Sequence, residues 1–318
     1  MERAQVRKKS RGKYIMLTLL SVLAIISIVK IFQYRTDVRT AYKKLDAYPV
    51  QAINTEFGKM SFIDNGIGDP ILLSHGIFGG YDQGYESLKG LVGDNFRKLV
   101  PSRFGYPGSE VPEEPIPENQ AKAFVELMDE LNIDKTYVIT TSAGGAAGIM
   151  MTLRYPERVK GLIMVSSGMP DIKRTKEDIK GITGPPAIMV NDFPMWLTIK
   201  HFSFVIKSMM GVKESSEAIF STMLPVTPRK KGIQIDTNIT NLEMDLNYEA
   251  YTSEKITVPI LMIHAKDDPM VKFETTANFK KRTHPQTLFF ETGGHLIEGH
   301  GDEVSKAIIS FIEANGDK

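Results

Sequence analysis

The sequence contains no cysteine and almost no excess of charge. Its 318 residues include 39 lysines and arginines against 38 aspartates and glutamates, a formal net charge of +1. The lack of cysteine excludes disulfides, thiolate metal sites and cysteine nucleophiles. The lack of a basic surplus removes the electrostatic case for a nucleic-acid partner. Glycine and proline, at 26 and 17 residues, are close to average, which excludes collagen-like and low-complexity chains.

What is present is the composition of an ordinary globular protein, with 42% hydrophobic and 24% charged residues. The length would suit about two domains of average size, but α/β folds often exceed about 250 residues as one unit. Such a chain is long enough to bury a core that needs no disulfide.

The charge is concentrated at the N-terminus, where residues 1–13 carry six basic side chains and one acid. Residues 14–32 follow with Lys30 as the one charge. As a helix, these 19 residues would span about 28 Å, close to the ~30 Å of a bilayer's hydrocarbon core. We therefore predict a transmembrane signal anchor at 14–34, with Tyr14 and Tyr34 at the interfaces. A polar connector at 35–48 follows.

Two alternatives to an anchor exist. A cleaved secretory signal would share the basic and apolar regions, but the residues KIFQYRTD after the run are bulky and charged and offer no small-residue cleavage site. A buried core helix would be expected to have a polar face, which the run lacks. The basic tip predicts a cytoplasmic N-terminus and an extracytoplasmic domain. Basic residues after the span weaken this orientation: Lys30, Arg35, Arg39, Lys43 and Lys44.

Residues 49–318 alternate between β-rich and helical patterns, which predicts an α/β fold with a mostly parallel, doubly wound sheet. The main predicted strands are 71–74, 136–141, 161–167 and 258–265, and the main predicted helices are 118–133 and 295–315. A long insertion at about 170–255 breaks this rhythm and includes the apolar run Phe193–Gly211. A helical cap over a pocket fits this insertion better than a second membrane span, because Lys200, His201 and Lys207 interrupt the run.

The segment VITTSAGGAAG, 138–148, runs from a strand through Ser142 directly into a small-residue helix. It resembles the nucleophile elbow of the α/β-hydrolase fold, whose pattern is small-x-nucleophile-x-small. Small neighbours are needed because the turn is tight and strained. Thr140 departs from the pattern, since the first small position usually holds glycine. The alternative is an ordinary turn with an N-cap serine.

Two further segments support the resemblance. LLSHGIFGG, 72–80, resembles the HG-x segment after the third strand of this family, which implies an oxyanion hole made by the backbone N–H groups of Ile77 and Ala143. His75 is then a structural residue of the loop. SRFGYPGSE, 102–110, resembles the turn after the fourth strand, with Ser102 in place of the usual aspartate.

The acid and base are implied in the same way. HAKDDPMV, 264–271, resembles the segment that carries the acid, and its spacing favours Asp268 over Asp267, with Asp171 as a remoter alternative. ETGGHLIEGH, 291–300, resembles the segment with the base, and this implies His295 at the start of a helix. The order nucleophile, acid, base matches the family. The other histidines are expected to be structural or local, with His201 the best placed to touch substrate: His201, His264, His284 and His300.

The resemblance covers residues 49–318 and implies a serine hydrolase with a Ser142–His295–Asp268 triad and an acyl-enzyme intermediate. The apolar cap favours an ester with a lipophilic acyl group, including a lipid, for which we expect pocket residues Phe78, Trp196 and Phe202. The alternatives are a C–C bond hydrolase, a perhydrolase or a peptidase of the same fold, or a non-catalytic binding protein. We expect no cofactor and no metal.

Overall fold

The structure is a computed structural model and describes residues 2–179, 183–214 and 217–316, with side chains from residue 13 onward. It separates into two compact units, Met1–Asp46 and Ala47–Lys318, which are described one at a time. Residues 180–182 and 215–216, inside the predicted cap, lie outside the described part.

The first unit is one helix, α1, Glu2–Asp46. From Lys13 onward it is long and apolar enough to cross a membrane. Most of the predicted connector at 35–48 is therefore helical, because α1 continues to Asp46. Of the six basic side chains predicted to form a cytoplasmic tip, all but Lys13 lie outside the described side chains.

The second unit is built on an eight-stranded sheet in the order β1-β2-β4-β3-β5-β6-β7-β8. β2 is antiparallel to β1 and β4, and the pairs from β4 to β8 are parallel. The strands are β1 Gln51–Thr55, β2 Gly58–Asn65, β3 Pro70–Ser74, β4 Arg97–Pro101, β5 Thr136–Ser142, β6 Val159–Ser167, β7 Ile260–Ala265 and β8 Gln286–Phe290. The predicted α/β-hydrolase architecture with a mostly parallel sheet is confirmed.

Helices cover both faces of this sheet, which is why its central strands are continuous apolar runs. Alternate residues serve opposite faces: Leu72 belongs to one core cluster, and its neighbours Ile71 and Leu73 belong to the other. The covering helices are α2 Tyr81–Val92, α3 Pro117–Glu130, α4 Gly145–Arg154, α10 Phe273–Thr283 and α11 Gly301–Asn315.

Two helices differ from the sequence-based expectation. α2 was not predicted, because Gly84 and Gly90 weaken its helical pattern; Gly84 faces Val100, with no room for a Cβ. The closing helix begins at Gly301, later than the predicted start at 295. The reason is local: Gly294, Ile297 and Gly299 have positive φ angles, so the chain cannot form regular helix there.

The segment between β6 and β7, residues 168–259, contains the stretch 170–255 that is predicted to be a helical cap, and we call it the cap. Its described residues contain short helices and no strand: α5 Asp192–His201, α6 Ser203–Met210, α7 Glu217–Ser221, α8 Lys230–Ile235 and α9 Asn241–Leu246. A π-helical turn, Asp236–Thr240, joins α8 to α9. The run Phe193–Gly211 is divided between α5 and α6.

β4 pairs with one edge of β3, and the next strand in sequence, β5, pairs with the other edge, so the order in which strands are added to the sheet reverses at this point. In such sheets the crevice at the carboxyl ends of the strands on either side of the reversal is the usual ligand site. Here those ends are Ser74, at the end of β3, and Ser142, at the end of β5. The topology therefore brings the segment 75–78 beside Ser142.

Candidate active site

Ser142 lies at the turn from β5 into α4 with a φ of 49°. This left-handed conformation is strained for any residue other than glycine, and such strain is concentrated at functional positions. The turn is possible because its neighbours have no side chains: a Cβ at Gly144 would lie 2.0 Å from the Ser74 carbonyl oxygen, and one at Gly145 would lie 1.9 Å from that of Gly168. The Ser142 side chain stays half-buried rather than enclosed.

Thr140, the departure from the family pattern, is accommodated by a glycine elsewhere. The threonine is fully buried, and its Oγ1 is 2.8 Å from Oγ of Ser167 on β6. Its methyl group faces Gly148 on α4, where a Cβ would lie only 2.1 Å away. The larger residue in the strand is thus matched by the smallest residue in the helix.

His295 and Asp268 are brought together at the carboxyl edge of the sheet. His295 Nδ1 lies 2.9 Å from Asp268 Oδ2, and the carboxylate is completely buried. Asp268 Oδ1 accepts the backbone N–H groups of Met270 at 2.8 Å and Val271 at 3.1 Å. Burial alone would raise the pKa of Asp268, but the His295 imidazole and these N–H donors outweigh it and hold that pKa below its usual range.

The two alternative acids occupy other positions. Asp267 Oδ1 accepts the N–H of Gly294 at 2.8 Å, so it fixes the backbone next to His295 rather than its ring. Asp171 accepts hydrogen bonds from Thr275 and Asn278 on α10.

His264 lies behind the acid, a position that the sequence pattern did not indicate. Its Nε2 donates to the Val271 carbonyl oxygen at 2.8 Å and lies 3.7 Å from Asp268 Oδ2. Burial lowers the pKa of His264, so this ring is neutral at pH 7. It holds the loop that carries the carboxylate.

The loop 75–78 lies directly against the elbow. A Cβ at Gly76 would lie 2.9 Å from the Ser142 Cβ, so only glycine allows this approach. The N–H groups of Ile77 and Ala143 donate to no acceptor within the described part of the chain. Their predicted role as an oxyanion hole stays a prediction.

His75, in the same loop, has both ring nitrogens engaged. Its Nδ1 donates to the Gly76 carbonyl oxygen at 2.8 Å, and its Nε2 accepts the backbone N–H of Arg103 at 3.1 Å. Burial and the Arg103 charge hold the pKa of His75 well below its usual range. A neutral ring with both nitrogens occupied is a structural element of the loop.

The three expected pocket residues occupy different environments. Phe78 is buried and has a φ of 62°. Trp196 is buried within the cap, where Phe193 stacks on it at 6.0 Å and His201 meets it edge-on at 5.7 Å. Phe202 is 47% exposed on the cap surface. The pocket formed by these three side chains therefore stays a prediction.

Two buried arginines beside the loop 75–78 were also missed at the sequence level, although Arg103 lies in a quoted segment. Arg103 donates to the His75 carbonyl oxygen and Arg229 to that of Phe78. Metal-binding geometry is not evident: the described residues contain no cluster of three or more histidine, aspartate or glutamate side chains that could hold an ion.

Comparison with known proteins agrees with this architecture. The family model for the alpha/beta hydrolase fold matches residues 69–298. The hydrolase YcgS of Bacillus subtilis is 33% identical over 290 residues, covering 83% of this chain and 99% of that protein. Lipase 1 of Psychrobacter immobilis is 27% identical over 273 residues, 80% of this chain and 82% of the lipase.

Solved structures show the same fold. An alpha/beta hydrolase fold protein from Nakamurella multipartita superposes with a TM-score of 0.67 at 21% identity, covering 84% of this chain and all of that one. An esterase from Exiguobacterium antarcticum gives 0.64 at 20% identity, covering 83% and 99%. The family match spans more than half of the chain and includes the elbow, the loop 75–78 and the Asp268–His295 pair. This chain belongs to the alpha/beta hydrolase fold family and is an enzyme of the hydrolase class.

Proposed function

We propose that the enzyme cleaves a carboxylic ester through Ser142, His295 and Asp268. The observation that carries this proposal is the strained backbone of Ser142, which lies against the loop 75–78, at the same sheet edge as the hydrogen-bonded His295–Asp268 pair. The ester preference is supported by relatives named as lipases, from Moraxella and Psychrobacter, and by a structural neighbour named as an esterase.

In the first half-reaction the Ser142 oxygen attacks the ester carbonyl carbon while its proton passes to His295 Nε2. The buried Asp268 carboxylate accepts a hydrogen bond from the Nδ1–H group, stays ionised, and stabilises the imidazolium that forms. The negative oxygen of the tetrahedral intermediate binds the N–H groups of Ile77 and Ala143. Collapse breaks the carbon–oxygen bond, and the leaving alcohol takes the proton from His295.

In the second half-reaction His295 removes a proton from water, and the resulting nucleophile attacks the acyl-enzyme. The intermediate collapses to the carboxylic acid and returns the proton to Ser142. The depressed pKa of Asp268 keeps its carboxylate ionised throughout this cycle.

A lipophilic acyl group is the substrate class that the cap supports best. Helices α5 and α6 and the residue between them expose large apolar side chains: Phe193, Phe202, Phe204 and Met209. Exposed apolar patches of this kind mark lipid or apolar-ligand surfaces. Phe202 and Phe204 meet edge-on at 6.3 Å, so these two rings form one exposed aromatic contact.

Labelling with a fluorophosphonate probe tests the nucleophile. The full-length protein in detergent should be labelled on Ser142, and Ser142→Ala should abolish both labelling and hydrolysis of p-nitrophenyl esters. Ser166→Ala is a matched control, because Ser166 is a buried serine with positive φ at the end of the neighbouring strand β6. Labelling that survives in Ser142→Ala would contradict the assignment.

Paired amide substitutions test the acid. Asp268→Asn should lower kcat by about 10³–10⁴-fold, because an amide cannot hold the imidazole in the required tautomer. Asp267→Asn, at the adjacent residue, should cost far less, since it alters only a hydrogen bond to the Gly294 backbone. Equal losses in the two variants would remove Asp268 from the triad.

C–C bond hydrolysis is the second candidate, supported by a relative from Metapseudomonas resinovorans named as a 2-hydroxy-6-oxo-dienoic acid hydrolase, 22% identical across 86% of this chain. A dienoate of that type offered beside ester substrates separates the two activities. Faster turnover of the dienoate, lost in Ser142→Ala, would favour C–C cleavage over ester hydrolysis.

We further propose that α1 is an uncleaved single-pass membrane anchor with the basic tip in the cytoplasm and the hydrolase domain outside. Because the chain has no cysteine, single cysteines report topology without background. In intact cells a membrane-impermeant maleimide should label Lys135→Cys, in an exposed loop, and leave Ser10→Cys unlabelled. The opposite pattern would invert the orientation, and loss of the N-terminus from the purified protein would indicate cleavage.

A further inference from the structure

Two buried arginines hold the loop 75–78 from opposite ends. Arg103, after β4, donates from Nε to the His75 carbonyl oxygen at 2.8 Å. Arg229, in the cap, donates from Nε to the Phe78 carbonyl oxygen at 2.8 Å. Ile77, whose N–H is proposed to bind the oxyanion, lies between these two attachment points.

Each arginine is paired with a carboxylate on the other side of the cap boundary. Arg103 of the main domain binds both oxygens of the cap residue Asp236 at 2.6 Å, and Tyr106 donates its hydroxyl to the same carboxylate. Arg229 of the cap binds Asp82 of α2 in the main domain. We call Arg103, Asp236, Arg229 and Asp82 the buried clamp. In one of its two ion pairs the main domain supplies the arginine, and in the other the cap does.

The backbone fixes the register of this boundary. The N–H of Gly232 on α8 donates to the Gly105 carbonyl oxygen at 2.9 Å. A Cβ at Gly105 would lie 2.7 Å from the Gly232 nitrogen, and one at Gly232 would lie 2.3 Å from the Tyr106 ring. The close approach of α8 therefore places Asp236 against Arg103 without freedom to slide.

The clamp arginines act through the protein rather than on a ligand. Arg229 uses its three nitrogens on the Phe78 carbonyl, the Pro225 carbonyl and Asp82, and its side chain has no exposed surface. Arg103 uses its three nitrogens on His75 and Asp236. Neither guanidinium is available to a substrate.

The conformation of the loop needs such support. Phe78 has a φ of 62°, which a phenylalanine adopts only when surrounding contacts enforce it. The Arg229 hydrogen bond to its carbonyl is one such contact. Buried ion pairs are weak contributors to stability, because desolvation offsets their attraction, so position rather than stability is the property that they specify best.

We propose that the cap residues Arg229 and Asp236 are positioning residues of the hydrolysis: through the buried clamp they fix the Ile77 N–H where the oxyanion forms. The cap thereby governs catalytic rate and not only substrate access. This inference rests on the proposed function, because it assumes that the loop 75–78 stabilises an oxyanion.

The test uses the full-length protein in detergent with Arg229→Lys and Asp236→Asn. Arg229→Lys keeps the charge beside Asp82 but cannot hold the Phe78 carbonyl in the same fork. Because misplacement by about 1 Å can cost about 100-fold, we expect kcat on p-nitrophenyl butyrate to fall by about that factor, with KM changed less than about threefold. Affinity for a trifluoromethyl ketone, whose adduct carries the oxyanion, should fall in proportion to kcat/KM.

Arg282→Lys is the matched control. Arg282 also ties the cap to the main domain, donating to the Tyr248 hydroxyl and the Pro170 carbonyl, but it does not touch the loop 75–78. Its substitution should leave kcat unchanged. Active-site titration normalises each rate to folded enzyme, and if Asp236→Asn does not fold, Arg229→Lys decides.

The outcomes separate this inference from the function on which it rests. Unchanged kcat in folded Arg229→Lys, or a loss confined to KM, would overturn the positioning role while ester hydrolysis stands. A wild-type enzyme that neither hydrolyses esters nor is labelled at Ser142 would remove the proposed function and the positioning role together. An equal loss of kcat in Arg282→Lys would show that any disturbance of the cap has this effect, and would also overturn the inference.

Discussion

Two regions of the cap contact their surroundings in opposite ways. The clamp end, residues 226–240, contributes Arg229 and Asp236, both without exposed surface, to ion pairs with the main domain. The arm, α5 and α6, turns Phe202 and Phe204 to solvent at 47% and 66% exposure. Charged groups with fixed geometry specify one position, whereas apolar surfaces accept many partners of similar size. From this contrast we expect the clamp end to fix the position of the loop 75–78 and the arm to accept a range of apolar groups.

The arm is nevertheless anchored. Met195, Trp196 and Ile199 are buried on the inner face of α5. The outer side of the arm is also apolar, but it is exposed to solvent. The difference between the two ends therefore lies in what each presents outward, not in whether it is packed.

The largest expected effect concerns the clamp itself. Arg103→Met or Asp236→Leu alone leaves a buried, unpaired charge, and each should lower the free energy of unfolding by about 3–5 kcal/mol. The double variant should recover most of that loss, because neither half of the Arg103–Asp236 pair is then left as an unpaired buried charge. Chemical unfolding in detergent measures both, and Phe204→Ser, in the arm, should change stability by less than about 0.5 kcal/mol. Strictly additive losses in the double variant would show that the two residues do not act as a pair.

How much of this could be predicted from the sequence depends on the range of the interactions. The strand 71–74 and the elbow at Ser142 were predictable, because a short apolar run and a strand–glycine–helix pattern are local signals. Asp268 and His295 needed the family resemblance to be paired, and their roles remain proposals. The bounds of the anchor, the connector and the domain likewise remain predictions.

The clamp could not be predicted, because no local pattern relates Arg103 to Asp236 or Arg229 to Asp82. The partners are 133 and 147 residues apart in sequence. Residues 168–259 hold 11 lysines and arginines and 11 aspartates and glutamates, so the cap offers many charges of both signs, and the glycine contact between Gly105 and Gly232 selects the register. The same reasoning applies to His264, whose carbonyl partner becomes its neighbour only when the loop after β7 folds back.

The arm is the place to look for the next effect, a change of selectivity. Replacing Phe202 and Phe204 with serine should reduce kcat/KM for a p-nitrophenyl octanoate by about tenfold relative to the acetate, because burying one large apolar side chain contributes about 1.5–3 kcal/mol. Arg229→Lys should lower both esters by the same factor. A panel of chain lengths measured on both variants checks the contrast. The contrast is contradicted if the arm variant lowers kcat/KM for the octanoate and the acetate by the same factor.

The smallest expected effect is a pH dependence that arises at His75, in the loop 75–78 that the buried clamp holds. Burial and the nearby charges of Arg103, and more weakly Arg229, hold the pKa of His75 well below 6.5. In the unfolded chain this imidazole binds a proton below about pH 6.5, whereas the native ring stays neutral. The unfolded state therefore binds more protons at low pH. The contribution of His75 to the free energy of unfolding is fully present above about pH 6.5 and is lost as the pH falls toward the pKa of the native ring.

The slope is at most about 1.4 kcal/mol per pH unit for one such histidine. His75→Gln should flatten the decline in melting temperature between pH 7 and pH 5, although His264, whose pKa burial also lowers, leaves a residual slope. Asp268 does not contribute in this window, because its depressed pKa affects stability only below its ordinary value near 3.8. If the melting temperature of His75→Gln declines with pH as steeply as that of the wild type, the His75 ring is not held in a desolvated site beside Arg103. The contrast between a fixed clamp end and an adaptable arm would then lose this support.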